Sequence, residues 1–159
     1  WRRLLARGLP QREDYRLEFI GRRGWKGDAM LKAMDTLGAD AANRFVHVEG
    51  ASDALLARLY RDASFCLYPS RSEGFGLPII EAMAQGKPVI ASTGGAVAET
   101  AGGLAPCLDP LDVTGWTETM AAWIADPAAR APWEERIRSD FRYATWPEAA
   151  ERIIAASLA

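Results

Sequence analysis

The chain has 159 residues, of which 49% are hydrophobic and 25% charged, with 19 Lys plus Arg against 21 Asp plus Glu and a formal net charge of −2. This profile excludes a disordered chain, a collagen-like fibre and a disulfide scaffold. The near balance of charge leaves no electrostatic footprint for non-specific nucleic-acid binding, and no apolar run reaches the roughly 18 residues that a membrane helix needs.

The elements alternate along the chain. Trp1 to Gly8 reads as the tail of a helix closed by Gly8, with no capping residue before it. Arg16 to Ile20 alternates polar and apolar residues ahead of a Gly-rich turn and reads as a strand. A helix follows from Asp28 to about Leu37, then a strand over Arg44 to Val48. Ser52-Asp53 opens a helix with Leu55, Leu56, Leu59 and Tyr60 on one face. Ser64 to Tyr68 is a short apolar strand stopped by Pro69. Leu77 to Gln85 is a helix, with Pro78 suited to its first turn and Gly86 to its end. Pro88 to Ala91 is a buried strand, Val97 to Thr100 a short helix, and Leu104 to Leu108 a weak strand. From Asp112 onward the pattern is helical, with breaks near Asp126-Pro127 and Ala144 to Pro147.

Alternating strands and helices with continuously apolar strands imply a parallel sheet covered on both faces. The fold class is therefore α/β, a doubly wound, Rossmann-like parallel sheet followed by C-terminal helices over 112–159. Ligands of such sheets bind beyond the carboxyl ends of the strands. Cys66 and Cys107 lie in apolar segments and read as buried thiols. With one histidine and no Cys-x-x-Cys, a His/Cys metal site is not expected. His47, within a strand, reads as structural, as do Trp116, Trp123, Trp133 and Trp146 among the terminal helices.

The densest information runs from Pro69 to Ile90. Gly74 and Gly76 bracket Phe75 just before a helix start, where glycine admits a ligand to the backbone and free first-turn amides favour an anion. Glu73 and Glu81 flank that turn. A carboxylate beside a diphosphate is repulsive unless it faces something else, and paired sugar hydroxyls suit it because a carboxylate accepts from both. Taken singly, Glu73 also reads as a solvated loop charge, Glu81 as a complement to the helix dipole, and Phe75 as a core plug.

The whole segment Pro69-Ser70-Arg71-Ser72-Glu73-Gly74-Phe75-Gly76-Leu77-Pro78-Ile79-Ile80-Glu81-Ala82-Met83-Ala84-Gln85-Gly86-Lys87-Pro88-Val89 resembles the donor-binding signature of the retaining family-4 (group 1) glycosyltransferases with the B-type fold. The stretches Gly50 to Tyr60, Ala91 to Glu99 and Leu108 to Asp112 resemble further parts of that family, and Phe19 to Trp25 resembles a turn of its bacterial mannosyltransferase-like subset. The resemblance covers nearly the whole chain and implies a C-terminal, donor-binding domain.

The resemblance implies that Glu73 contacts donor-sugar hydroxyls at the reacting centre and is the catalytic candidate, while Glu81 holds the ribose diol. Gly74, Phe75, Gly76 and Leu77 would meet the sugar and diphosphate. Gly50, Ala51, Ser52 and Asp53 are weaker candidates for the base. Arg22 and Lys26, with Arg23, are weak candidates for phosphate, because the family's phosphate-binding Arg/Lys pair belongs to an earlier loop.

The function so implied is transfer of a hexose from a nucleoside diphosphate sugar, GDP-mannose first and UDP-sugars second, to a saccharide or lipid-linked acceptor in polysaccharide biosynthesis. Neither a cofactor nor a metal is expected, the nucleotide sugar being a substrate. No nucleic-acid partner is expected. The location implied is cytoplasmic, at the inner face of a membrane if the part outside 1–159 reaches it. The alternatives are a non-catalytic nucleotide-sugar-binding or regulatory module and a nucleotide-sugar epimerase. Residues 1–159 read as one partial domain. The central first strand of the order 3-2-1-4-5-6 and an N-terminal acceptor domain are expected to precede Trp1, so the isolated chain is expected to be inactive.

Overall fold

A computed structural model describes residues 1–9, 15–22, 24, 27–35, 45–143 and 145–158. Helix α1 is Arg2–Ala6, and the chain leaves it through Gly8 at φ 71°. Strand β1 (Leu17–Ile20) leads to helix α2 (Gly27–Asp35) and strand β2 (Phe45–Val48). Helix α3 (Asp53–Asp62) is capped by Ser52, whose side chain accepts from the Leu55 amide at 3.3 Å. Strand β3 (Cys66–Tyr68), helix α4 (Leu77–Ala84), strand β4 (Val89–Ser92), helix α5 (Val97–Ala101) and strand β5 (Cys107–Leu108) follow. The terminal helices are α6 (Val113–Ala125), α7 (Ala131–Asp140) and α8 (Trp146–Ser157), with a 3₁₀ turn over Pro127–Ala129.

Among the described residues the strand pairs are parallel, and β4 lies between β3 and β5. It is buried along its whole length, and its side chains divide by the period of two. Val89 and Ala91 enter a cluster with Ile79, Ala82 and Met83 of α4, Val97 and Ala101 of α5, and Ile137 of α7. Ile90 points to the opposite face, against Leu4 of α1 and Trp116, Met120, Trp123 and Ile124 of α6. Helices thus cover both faces of the sheet, and this is why β4 is apolar without alternation.

The sheet is divided at the place where an order 3-2-1-4-5-6 without its central strand 1 leaves a gap. Among the described residues the strands form two sheets, β1–β2 and β3–β4–β5, with no ladder between them. Among the described residues strand β1 pairs only with β2, and the doubly wound order places a further strand between β1 and β3. The side chains of Phe19 and Ile20 are 41% and 37% exposed, so β1 has less apolar cover than β4.

Strand β5 is also shorter than the sequence implies. Pro106 has no N–H, so it accepts from the Ala91 amide at 3.0 Å but cannot donate to a ladder. The break at 126 is made by Asp126, which accepts from the Ala128 amide. The break before α8 is a capping box between Thr145 and Glu148.

Trp116 and Trp123 are core residues, and Trp133 packs half-buried against them under the Arg136 guanidinium. Trp146 corrects the packing-anchor reading: it is 90% exposed at the start of a helix that buries no residue. His47 is half-buried, and its Nε2 donates to the Gly21 carbonyl at 2.9 Å, which ties β2 to the turn after β1. Both cysteines are free, half-buried thiols. Burial pushes the Cys66 thiol up to about 11.

Candidate functional site

The segment from Ser70 to Gly76 connects the carboxyl end of β3 to the start of α4. Three backbone carbonyls along it are held by the strand and helix that follow. Ser92, fully buried at the end of β4, donates its hydroxyl to the Ser70 carbonyl. The Ala96 amide donates to the Glu73 carbonyl at 3.0 Å, and the Thr100 hydroxyl donates to the Phe75 carbonyl. Gly94 and Gly95 make this approach feasible. A Cβ on Gly94 would overlap the backbone of Ser70 and Arg71, and one on Gly95 would overlap the Glu73 carbonyl. The loop is thus fixed by packing of backbone on backbone.

Gly76 is the N-cap of α4, with φ 92°, in the left-handed region that side chains disfavour. A Cβ there would also lie 3.3 Å from Ile79 Cδ1 and 3.5 Å from Tyr68 Cε1. Gly74 differs: its φ is ordinary, and nothing lies within 4 Å of where its Cβ would be. The fold itself does not require a glycine at 74.

No side chain caps α4. The amides of Gly74, Phe75, Gly76 and Leu77 donate no hydrogen bond among the described residues. A run of unpaired N–H groups at a helix start is a site of positive potential. It borders an open cavity of about 320 Å³ lined by Gly74, Phe75, Ala96, Glu99 and Thr100. Phe75 and Leu77 are 56% and 61% exposed at this lip, so Phe75 is not a core plug.

Two carboxylates flank the turn, and each meets a tyrosine. Glu73 is half-buried, and its Oε1 accepts from the Ser70 hydroxyl at 3.1 Å. The Tyr68 phenol beside it is pushed up to about 12 by burial and then by the Glu73 carboxylate. Glu81 lies one turn into α4 on the face of exposed Leu77, and its Oε2 accepts from the Tyr60 hydroxyl at 2.9 Å. Burial, followed by the Glu81 carboxylate, raises the Tyr60 phenol well above its ordinary value. Both phenols therefore remain protonated donors at neutral pH.

The structure thus brings together Glu73, Gly74, Phe75, Gly76, Leu77 and Glu81. The weaker candidates lie elsewhere. Gly50, Ala51, Ser52 and Asp53 form the turn into α3, and the Ser52 hydroxyl is engaged as its helix cap. Arg22 is exposed beyond β1, on the other sheet. Lys26, Arg23 and Trp25 lie outside the described residues. Among the described residues, no group of three or more His, Cys, Asp or Glu side chains is placed to hold a metal ion.

Sequence reasoning did not assign roles to Tyr60, Ser92, Gly94, Gly95 or Thr100. A serine ending an otherwise apolar strand, followed by paired glycines, was the available signal. Tyr60 looked like one more residue of an apolar helix face.

A parallel α/β sheet with a helix start and unpaired amides beyond its carboxyl edge is the arrangement at which doubly wound domains take nucleotides. The chain matches the group 1 glycosyl transferases over residues 1–126 and belongs to that family. It is 32% identical over 127 residues to an O-antigen chain mannosyltransferase B of Escherichia coli, which covers 80% of this chain and 32% of that protein. It is 40% identical over 81 residues to an MMP alpha-(1->4)-mannosyltransferase of Mycolicibacterium hassiacum, covering 49% of this chain and 20% of that one. Among solved structures, a sucrose-phosphate synthase from Thermosynechococcus elongatus aligns at a TM-score of 0.72 and 25% identity, over 98% of this chain and 41% of that one. WaaG, a glycosyltransferase involved in lipopolysaccharide biosynthesis, aligns at 0.68 and 22% identity over 86% of this chain and 37% of that one, a likeness of fold. The chain therefore spans about a third or less of the two curated relatives named here. Among the described residues no helix is long and apolar enough to cross a membrane.

Proposed function

We propose that this chain is the donor-binding part of a retaining hexosyltransferase that takes its sugar from a nucleoside diphosphate. The observation that carries the reading is the run of unpaired amides at 74–77 between the Glu73 and Glu81 carboxylates. A diphosphate at the start of α4 would be met by these amides. They act as fixed dipoles that stabilise the negative charge growing on the leaving group, a form of electrostatic catalysis that needs no reorganisation. Glu73 receives hydroxyls of the donor sugar next to the reacting carbon, and Glu81 receives the ribose diol.

The reading places no metal and no cofactor at the site. The remaining neutralisation comes from a cationic side chain, because a helix start offers only about half a unit of charge against the two or so of a diphosphate. The names of the relatives favour a mannosyl donor, with GDP-mannose first and UDP-sugars second, and a saccharide or lipid-linked acceptor in polysaccharide synthesis. Work at the cytoplasmic side of a membrane follows from that acceptor.

The test is a panel of nucleotide sugars offered to the full-length protein that carries this chain, with hydrolysis and transfer both read. One donor is expected to be consumed. Glu81→Gln is expected to weaken binding of that donor by about 1–3 kcal/mol, the scale of a hydrogen bond to a charged group, with little change in stability. Binding without any turnover would overturn the enzyme reading, and unchanged donor affinity in the variant would return Glu81 to a surface charge.

A further inference from the structure

Glu81 is exposed on α4, and an exposed glutamate normally samples many rotamers, which a ligand must freeze at an entropic cost. Here one oxygen is already held: Tyr60 donates to Oε2 at 2.9 Å across the contact between α3 and α4. Oε1 has no protein partner among the described residues. The Tyr60 ring packs half-buried against the cluster of Ile79, Ala82 and Met83, so the donor is itself fixed by the core. A tyrosine has few rotatable bonds and carries a polar tip on an apolar body, which suits it to holding another group in place.

We infer that Tyr60 is a positioning residue: its hydroxyl holds the Glu81 carboxylate in the single orientation that leaves Oε1 and the second lone pair of Oε2 open to the two hydroxyls of a nucleoside ribose. The inference rests on the proposed role of Glu81. A carboxylate has about four acceptor positions. Tyr60 occupies one, and a diol needs two neighbouring ones, so the bond narrows the choice without blocking the site. The ionisation of Tyr60 is suppressed by burial and then by Glu81, which keeps it a donor throughout the neutral range.

The experiment measures calorimetric binding of GDP, UDP and ADP, each against its 2′-deoxy form, to the full-length protein and its Tyr60→Phe variant. Tyr60→Phe keeps the ring and its packing, and a thermal melt confirms that the variant is folded. The wild type is expected to prefer the ribonucleotide. The variant is expected to lose about three- to tenfold in affinity for the ribonucleotide, the cost of ordering a side chain that the bond no longer holds, and little for the deoxy form, so the preference collapses. In a Glu81→Ala background, Tyr60→Phe is expected to change neither affinity, because the two residues act through one contact. An equal loss on both forms, or no loss on either, would overturn the positioning role and leave that of Glu81 standing. A wild type that does not distinguish ribose from deoxyribose would overturn the diol reading of Glu81 itself, and the role of Tyr60 with it.

Discussion

Ser92 at the end of β4 donates its hydroxyl to the carbonyl of Ser70, the second residue beyond the end of β3, and accepts from the Gly94 amide at 3.3 Å. One buried side chain therefore joins the carboxyl ends of two neighbouring parallel strands. It sets the starting direction of the loop that carries Glu73 and the amides of 74–77.

Ser92→Ala is expected to leave the Ser70 carbonyl and the Gly94 amide without a partner. The cost is about 1–3 kcal/mol, the penalty of stranding buried polar groups rather than the smaller net worth of a hydrogen bond. A lower denaturant midpoint with an unchanged slope is the expected result. Donor affinity should fall as well, since the loop loses an anchor. A variant as stable as the parent would show that the Ala96 and Thr100 hydrogen bonds and the glycine packing hold the loop without Ser92.

The two glycines of the turn should respond differently. Gly74 has open space around its missing side chain and no positive φ. Gly74→Ala is expected to change stability by no more than about 0.5 kcal/mol, as for a surface site, while weakening diphosphate binding because its methyl group intrudes on the free amides. Gly76→Val meets φ 92° and Ile79 Cδ1 at 3.3 Å. It is expected to cost about 1–3 kcal/mol in backbone strain, and to abolish transfer in a protein that still folds. Paired melting and calorimetric titration of the two variants check this, and an active Gly76→Val enzyme would sink the diphosphate cradle.

Alkaline pH should loosen the three-stranded sheet. Burial raises the Cys66 thiol from 9.0 to about 11, with Lys87 opposing, and the Tyr68 phenol moves from 10.0 to about 12. In each case the neutral form is favoured in the folded state. The stabilisation is complete below the unfolded value and is lost as pH climbs towards the folded one. Unfolding free energy is therefore expected to decline from about pH 9 for the thiol, and more steeply above pH 10 as the phenol joins it. Urea midpoints from pH 8 to 11 measure it. Burial raises the Cys107 thiol as well, so in Cys66→Ala the decline above pH 9 should be shallower, and an identical curve would place the loss elsewhere.

Much of this molecule follows from its sequence because the signals are local. The apolar runs of β3 and β4, the Pro78 start and Gly86 end of α4, the Ser52 cap and the break at Asp126 each depend on neighbours within one or two turns of chain. The Glu73 to Leu77 turn was legible for the same reason: its glycines and the helix start are contiguous. Tertiary structure alone decided the rest. Tyr60 and Glu81 are 21 residues apart, Ser70 and Ser92 are 22, and Thr100 reaches Phe75 across 25. Contacts of that separation depend on the parallel crossovers that set α3 beside α4 and β3 beside β4. No periodicity of 2 or 3.6 residues marks them. The exposure of Trp146 belongs to the same category. A strand's apolar pattern states that it will be covered, and an aromatic side chain states that cover would be favourable, but neither says which surface supplies it.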